Sequence, residues 1–307
     1  MGKIAFVFPG QGAQAVGMGK DIYDALPQSR AVFEQGNKAL GFDLSQLVFE
    51  GPDSELKQTV NTQPALLTTS VAYLAALSDR NIKPDFVAGH SLGEYSALVA
   101  AGVLSYEDAV RLVRLRGRFM EEAVPGGQGA MAAVLGAERG ALAELCRSIS
   151  EEGSIVELAN VNCPGQIVVS GSQTGVAAVV ERVKEAGGKR AIPLEVSGPF
   201  HSSMMKAAAD RLSAELARVT FNAPAVPVVV NVTAQPVSNP EEIRELLVQQ
   251  VYSPVLWQDS VEWLIAAGVD TFVEIGSGSV LAGLIRKIDK SVKVVGINSL
   301  ESVQAEL

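Results

Sequence analysis

Cysteine and histidine are nearly absent from this chain of 307 residues, which holds only Cys146, Cys163, His90 and His201. The two cysteines stand too far apart for a CxxC unit, so neither a disulfide scaffold nor a Cys/His zinc site is expected. Positive charge is in deficit: 25 Lys and Arg against 34 Asp and Glu leave a formal charge of −9. That is the wrong sign for a nucleic-acid binder held by phosphate contacts, and an anionic partner has to meet a local basic patch. No apolar run approaches the roughly 20 residues of a membrane span. The opening stretch, Met1 to Phe8, runs into Pro9-Gly10 without the apolar segment and small-residue cleavage site of an export signal. Phe6 also stands where a myristoylation signal wants Ser or Thr. The expectation is a soluble cytoplasmic protein.

What remains is ordinary globular usage, with 48% hydrophobic residues, 29 Gly and 14 Pro, which excludes disordered, fibrous and coiled-coil readings. The length allows two domains, or one carrying an insertion. Short β-branched runs at 4–8, 86–88, 228–232, 271–275 and 292–297 alternate with helical periods at 62–80, 105–122, 202–219, 241–251, 258–267 and 280–288. That alternation predicts an α/β parallel sheet with crossover helices. Ser105 followed by Asp108 marks a helix start, because the serine side chain can take an otherwise unpaired N–H of the first turn.

Residues 129–197 break the rhythm. Their order reads strand 131–135, helix 138–150, strands 155–160 and 167–170, helix 173–186 and strand 190–196, a βαββαβ ferredoxin-like unit entered through the Gly-rich stretch 124–129. The expected organisation is a hydrolase-like large domain, 1–128 and 198–307, with a ferredoxin-like small domain inserted at 129–197.

The sharpest local signal is Gly89-His90-Ser91-Leu92-Gly93, a GxSxG placed after a short strand and before the helical stretch 94–101. A tight strand-to-helix turn lifts the serine hydroxyl out of the sheet and sets it at a helix N-terminus, where a developing oxyanion meets free N–H groups. The alternative is a Gly-rich turn whose serine only caps the helix. A serine nucleophile needs a base, and the choice is short. His90 adjoins Ser91 and should leave the turn in another direction. His201, in the loop Ser197 to Ser202 that returns from the small domain, is the candidate. Read alone it is more readily a structural histidine or a helix cap beside Ser202, but scarcity reverses that, since no other side chain of suitable pKa is present unless a carboxylate serves. The group that orients it is not readable from spacing, since a carboxylate or a backbone carbonyl can hold the tautomer.

On a helical wheel Leu112, Leu115, Phe119 and Met120 form one stripe, Arg111, Arg114 and Arg118 cluster opposite, and Arg116 falls inside the apolar stripe. A guanidinium aimed at the core must be paired, either with a buried acid or with a carboxylate brought by a substrate. The turn Pro9 to Gln14 can offer a second N–H near the serine. Gly276-Ser277-Gly278-Ser279 resembles a phosphate-cradling turn but lacks the GxGxxG spacing and the Walker lysine. Lys189, Arg190, Arg286, Lys287 and Lys290 are the basic residues placed around the entrance of a phosphorylated ligand, against the alternative of ordinary solvated charge.

Taken together, Phe8-Pro9-Gly10-Gln11-Gly12, Gly89 to Tyr95, Leu115-Arg116-Gly117, Asn160 to Gln166, Gly198-Pro199-Phe200-His201 and Gln250 to Val255 closely resemble the bacterial malonyl-CoA:acyl carrier protein transacylases of type II fatty acid synthesis. The resemblance spans nearly the whole chain. It implies a ping-pong transfer in which Ser91 takes malonyl from malonyl-CoA and passes it to the phosphopantetheine thiol of a carrier protein. His201 is then base and acid, the N–H groups of Gln11 and Leu92 hold the oxyanion, Arg116 pairs with the malonyl carboxylate, and the Gln250 carbonyl orients His201. Asn160, Asn162 and Arg190 match positions on the coenzyme A and pantetheine path. Leu92 and Phe200 match the malonyl-selective pattern, Phe200 leaving little room for a methyl branch, a discrimination of about 1–3 kcal/mol. No metal or redox cofactor is implied. The implied partner is an acidic, transient acyl carrier protein, met at Lys189, Arg286 and Lys287; the enzyme is expected to be a free-standing monomer with no nucleic-acid or membrane partner. A serine esterase or thioesterase, a non-enzymatic carrier or coenzyme A binding scaffold, and an acyltransferase derived from a polyketide synthase are the rival readings.

Overall fold

The computed structural model describes residues 2–80 and 82–305. Ten strands occur among them: β1 (Lys3–Phe8), β2 (Phe86–Gly89), β3 (Gly129–Leu135), β4 (Val156–Cys163), β5 (Gln166–Ser172), β6 (Arg190–Pro193), β7 (Val228–Val229), β8 (Pro236–Val237), β9 (Val269–Ile275) and β10 (Lys293–Ile297). They form a six-stranded sheet in the order β10-β9-β1-β2-β7-β8 and a four-stranded sheet in the order β4-β5-β3-β6.

The larger sheet is parallel from β10 to β7, with β8 antiparallel at its edge. Its middle strand, β1, shows why the apolar run at the N-terminus has no polar alternation. Side chains of a strand point alternately to the two faces, and a parallel sheet is covered on both. Phe6 and Phe8 pack into one core with the helices Thr59–Ala76, Tyr106–Glu122 and Lys206–Leu216. Ala5 and Val7 face the other, beneath Trp257–Ala266 and Val280–Ile288. The helix Tyr106–Glu122 starts as its capping signal requires, the Ser105 side chain accepting from the Asp108 N–H.

The smaller sheet is built from residues 129–193 and is antiparallel throughout. Its strand order is the ferredoxin-like one that the βαββαβ pattern predicts. One face carries the helices Arg139–Glu151 and Gln173–Arg182 over Ala132, Val134 and Val169. The other turns Met131, Ala159 and Val168 into the core of the large sheet. Backbone hydrogen bonds join the two units directly, Val161 N–H to Val255 O at 2.9 Å and Val255 N–H to Ala159 O at 2.8 Å. An ion pair between Arg139 and Asp259 at 2.8 Å adds a tie at the surface.

Several expectations need correction. Residues 20–56 form four helices, Lys20–Ala25, Pro27–Leu40, Leu44–Glu50 and Asp53–Leu56, for which the pattern gives no assignment; three are too short for a 3.6-residue period to register. The helix expected at 62–80 runs Thr59–Ala76 and is buried almost all round, which hides its ends from periodicity. The strand expected at 228–232 stops at Val229, because Asn231 turns away to bind Glu94. The strand expected at 190–196 stops at Pro193, and Leu194 and Val196 instead line a cleft. The helix expected at 202–219 is a short 3-10 turn, Ser203–Met205, followed by Lys206–Leu216.

Candidate active site

β2 ends at Gly89 and a helix begins at Gly93, leaving Ser91 at the turn with φ of 51°. A left-handed non-glycine residue costs about 1–3 kcal/mol and persists only where its surroundings over-determine it. The turn is so tight that its neighbours can only be glycine. A Cβ on Gly89 would lie 2.0 Å from the Gly93 carbonyl carbon, one on Gly93 2.1 Å from the Phe8 oxygen, and one on Gly10 2.3 Å from the His90 oxygen.

Ser91 Oγ lies 2.7 Å from His201 Nε2, and His201 Nδ1 lies 2.8 Å from the Gln250 carbonyl oxygen. A carbonyl only accepts, so Nδ1 carries the proton and Nε2 is left to accept from the serine. The missing third member of the triad is thus a backbone carbonyl. His201 is buried, and its pKa is pushed down to about 3, first by burial and then by the nearby Arg116 cation. It is therefore a neutral base at physiological pH. His90 points elsewhere, its Nε2 meeting Asn162 Oδ1 at 2.8 Å.

Arg116 is 1% exposed, and no carboxylate among the described residues pairs with it. Its Nη1 donates to Gln63 Oε1 at 2.8 Å, and its Nη2 donates to Gln250 Oε1 at 2.9 Å and to Ser91 Oγ at 3.1 Å. Burial lowers its pKa, as expected for a cation held by neutral groups. Of the two readings open in the sequence, the internal salt bridge is excluded. The guanidinium stands beside the serine hydroxyl with no acid of its own, a geometry that suits a carboxylate.

Ser91, His201, Arg116 and Gln63 line a pocket of about 120 Å³ together with Gln11, Leu92, Asn160 and Phe200. A wider groove of about 410 Å³ shares Gln11, His90, Asn160, Leu194 and Val196 with it and continues along Asn162, Gln166 and Val280. The backbone N–H groups of Gln11 and Leu92 have no acceptor among the described residues, which suits a pair of oxyanion donors. Of the basic residues, Lys287 reaches the groove through Gln166 Oε1 at 3.3 Å. Arg286 instead binds the Val294 carbonyl at 3.2 Å, Lys189 lies over Gly136, and the exposed Arg190 starts β6; none of these three lines the pocket or the groove. Ser277 in the Gly-rich turn is bound to the Ala13 carbonyl at 2.7 Å and is not open to a phosphate.

Three residues at the site escape the sequence reading. Lys57 lines the groove and pairs with Asp53 at 2.6 Å. Gln63 is a buried amide in a helix that also buries Thr62, Thr68, Thr69 and Ser70, so nothing in the sequence sets it apart. Asn231, whose Oδ1 accepts the Ser91 N–H at 2.8 Å, follows a valine run and carries no signal of its own.

The chain matches the acyl transferase domain family over residues 5–303. It is 52% identical over 304 residues to the malonyl CoA-acyl carrier protein transacylase of Bacillus subtilis (strain 168), covering 99% of this chain and 96% of that one. A Staphylococcus aureus (strain MRSA252) protein of the same name is 50% identical over 304 residues, covering 99% and 98%. Among solved structures, an acyl carrier protein S-malonyltransferase from Vibrio cholerae superposes with a TM-score of 0.96 at 45% identity over 98% of both chains. A malonyl-transacylase solved in complex with its type II polyketide synthase acyl carrier protein gives 0.95 at 43% identity, over 98% and 97%.

Proposed function

The chain belongs to the acyl transferase domain family, and from that membership we propose that it moves a malonyl group from malonyl-CoA to the phosphopantetheine thiol of an acyl carrier protein through an ester on Ser91. His201 Nε2 takes the Ser91 proton as Oγ attacks the thioester carbonyl. The tetrahedral oxyanion is held by the N–H groups of Gln11 and Leu92, each such donor being worth on the order of 10²–10³ in rate. The C–S bond breaks, His201 returns the proton to the leaving sulfur, and the free thiol of coenzyme A departs. The second half runs in reverse: the carrier thiol gives its proton to His201, its sulfur attacks the seryl ester, and Ser91 Oγ leaves and is reprotonated. The acyl group stays covalently held throughout, so no cofactor is needed.

The observation that carries this reading is Arg116, a buried guanidinium without an acid partner whose Nη2 reaches the serine hydroxyl. A malonyl carboxylate supplies the missing charge, fixes the ester against water and frees the hydroxyl from the Arg116 bond. Phe200, buried at the pocket wall, limits branching beside that carboxylate. Asn160 and Asn162 lie along the groove that suits a pantetheine arm, Arg190, expected on the same path, stands outside its lining, and Lys189, Arg286 and Lys287 are the residues assigned to the carrier side. In this scheme the inserted unit 129–197 is one wall of the cleft and the segments 1–128 and 198–307 carry the chemistry.

Intact-protein mass after mixing with malonyl-CoA tests the scheme. A malonyl adduct is expected on the wild type, absent in Ser91→Ala, and cleared by phosphopantetheinylated carrier protein. In Arg116→Ala, malonyl loading should fall by 10²-fold or more while an uncharged acyl donor is affected less, about the loss of one charged, desolvated contact. An adduct that drains to water at the same rate with or without carrier points to a thioesterase instead.

A further inference from the structure

The amide hydrogens of the serine turn are distributed unevenly. His90 N–H donates to Phe8 O at 3.0 Å, Gly93 N–H to His90 O at 2.9 Å and Glu94 N–H to Ser91 O at 3.1 Å, all backbone acceptors. The Ser91 N–H alone donates to a side chain, Asn231 Oδ1. Asn231 is fully buried and every polar group it has toward the turn is used. Its Nδ2 donates to Gly89 O at 2.7 Å, its own N–H donates to Glu94 Oε2 at 2.8 Å, and its Oδ1 also accepts from Gln250 Nε2 at 3.3 Å. Gln250 Nε2 in turn donates to Ser91 O at 3.0 Å, so the peptide groups on both sides of the serine are clamped.

We propose that Asn231, anchored through its backbone by the buried Glu94 carboxylate, is a positioning residue that holds Ser91 in its left-handed conformation and reserves the Leu92 N–H for the oxyanion. The inference rests on the acyl-transfer reading above. Its physical content is twofold. A strained turn keeps its shape only when enough bonds fix it. An unclaimed Ser91 N–H would be a buried orphan donor, free to rotate the turn toward another acceptor and carry Oγ and the Leu92 N–H out of line.

The test uses Asn231→Ala, Glu94→Ala and Glu94→Gln, with active sites counted by a fluorophosphonate that labels the serine. Both alanine variants are expected to lose about 10–10²-fold in kcat per titrated site, the scale of a misplaced reacting group. The KM for malonyl-CoA should stay within about two-fold, and Glu94→Gln, which keeps an acceptor for the Asn231 N–H, should recover most of the loss. If Asn231→Ala does not fold, the two Glu94 variants decide. A wild-type kcat per titrated site in the alanine variants, with only fewer active sites, would reduce the pair to a structural role and overturn the proposal. Labelling rates separate the two levels of the argument: a wild type labelled at Ser91 that takes no malonyl refutes the transfer reading, while slower labelling in the variants still speaks for the latch.

Discussion

Glu94 is fully buried, its Oε1 meets no donor, and burial lifts its carboxyl to about 7 although Arg116 pulls the other way. In the unfolded chain it titrates near 4.5, so between 4.5 and about 7 the folded state binds more protons and stability is lost as pH rises. His201 works in the opposite sense. Held at about 3 against an ordinary 6.5, it leaves the unfolded chain with the extra proton, and stability is lost as pH falls below 6.5. Glu94→Gln removes the first contribution and keeps the second. The melting temperature of that variant, taken relative to the wild type, should therefore rise between pH 5 and pH 8; a difference that stays flat across the range would mean the carboxyl is ionised throughout. At this scale the sequence was readable where chemistry is scarce or out of place. Ser91 stands in a GxSxG, His201 is one of two histidines, and Arg116 interrupts an apolar stripe. Gln63, Asn231 and the side chain of Gln250 were not, because neutral amides that lie far apart along the chain carry no period and meet only through the fold.

The serine turn is an element defined by the space it lacks. A methyl group on Gly93 would press on the Phe8 carbonyl oxygen, and that carbonyl belongs to β1, fixed beside β2 by the Phe8 and Gly89 register. Neither side can yield. Gly93→Ala should then cost at least the 1–3 kcal/mol typical of overpacking and lower the melting temperature by several degrees, with loss of serine labelling. Gly126→Ala, where an added Cβ meets nothing within 4 Å, is the matched control and should melt within about a degree of wild type. A Gly93→Ala protein as stable and as reactive as the control would show that the turn relaxes. Elements of this kind were legible because steric necessity writes glycine into the sequence. The buried strands were legible as apolar runs. The helices between 20 and 56 were not, three of them being too short for a period to register; β7 was read from its valines as the longer run 228–232, while β8 was not read and is set by its neighbour rather than by its own residues.

For the molecule as a whole, the change of rhythm at 129 marked the second sheet and its βαββαβ pattern implied the ferredoxin-like strand order, while the order of strands in the larger sheet had no sequence signal, because pairing between distant strands is settled by packing. Nor did the sequence reveal how firmly the units are joined. Met131, Ala159 and Val168 share a core with Phe200 and Met120, so the small sheet contributes to the packing beneath the histidine loop as well as to the cleft. The backbone bonds between Val161, Ala159 and Val255 cross the same boundary. These two amides act as gauges for solvent exchange. Proton–deuterium exchange at Val161 and Val255 should be as slow as at Val7 or Val169 in the sheet interiors, because a shared core lets neither unit detach alone. Faster exchange at those two positions alone would reveal a hinged molecule whose cleft breathes. Matched rates mean that the slot beside the serine has one width for as long as the protein is folded, and that both acyl donor and acceptor are measured against the same rigid template.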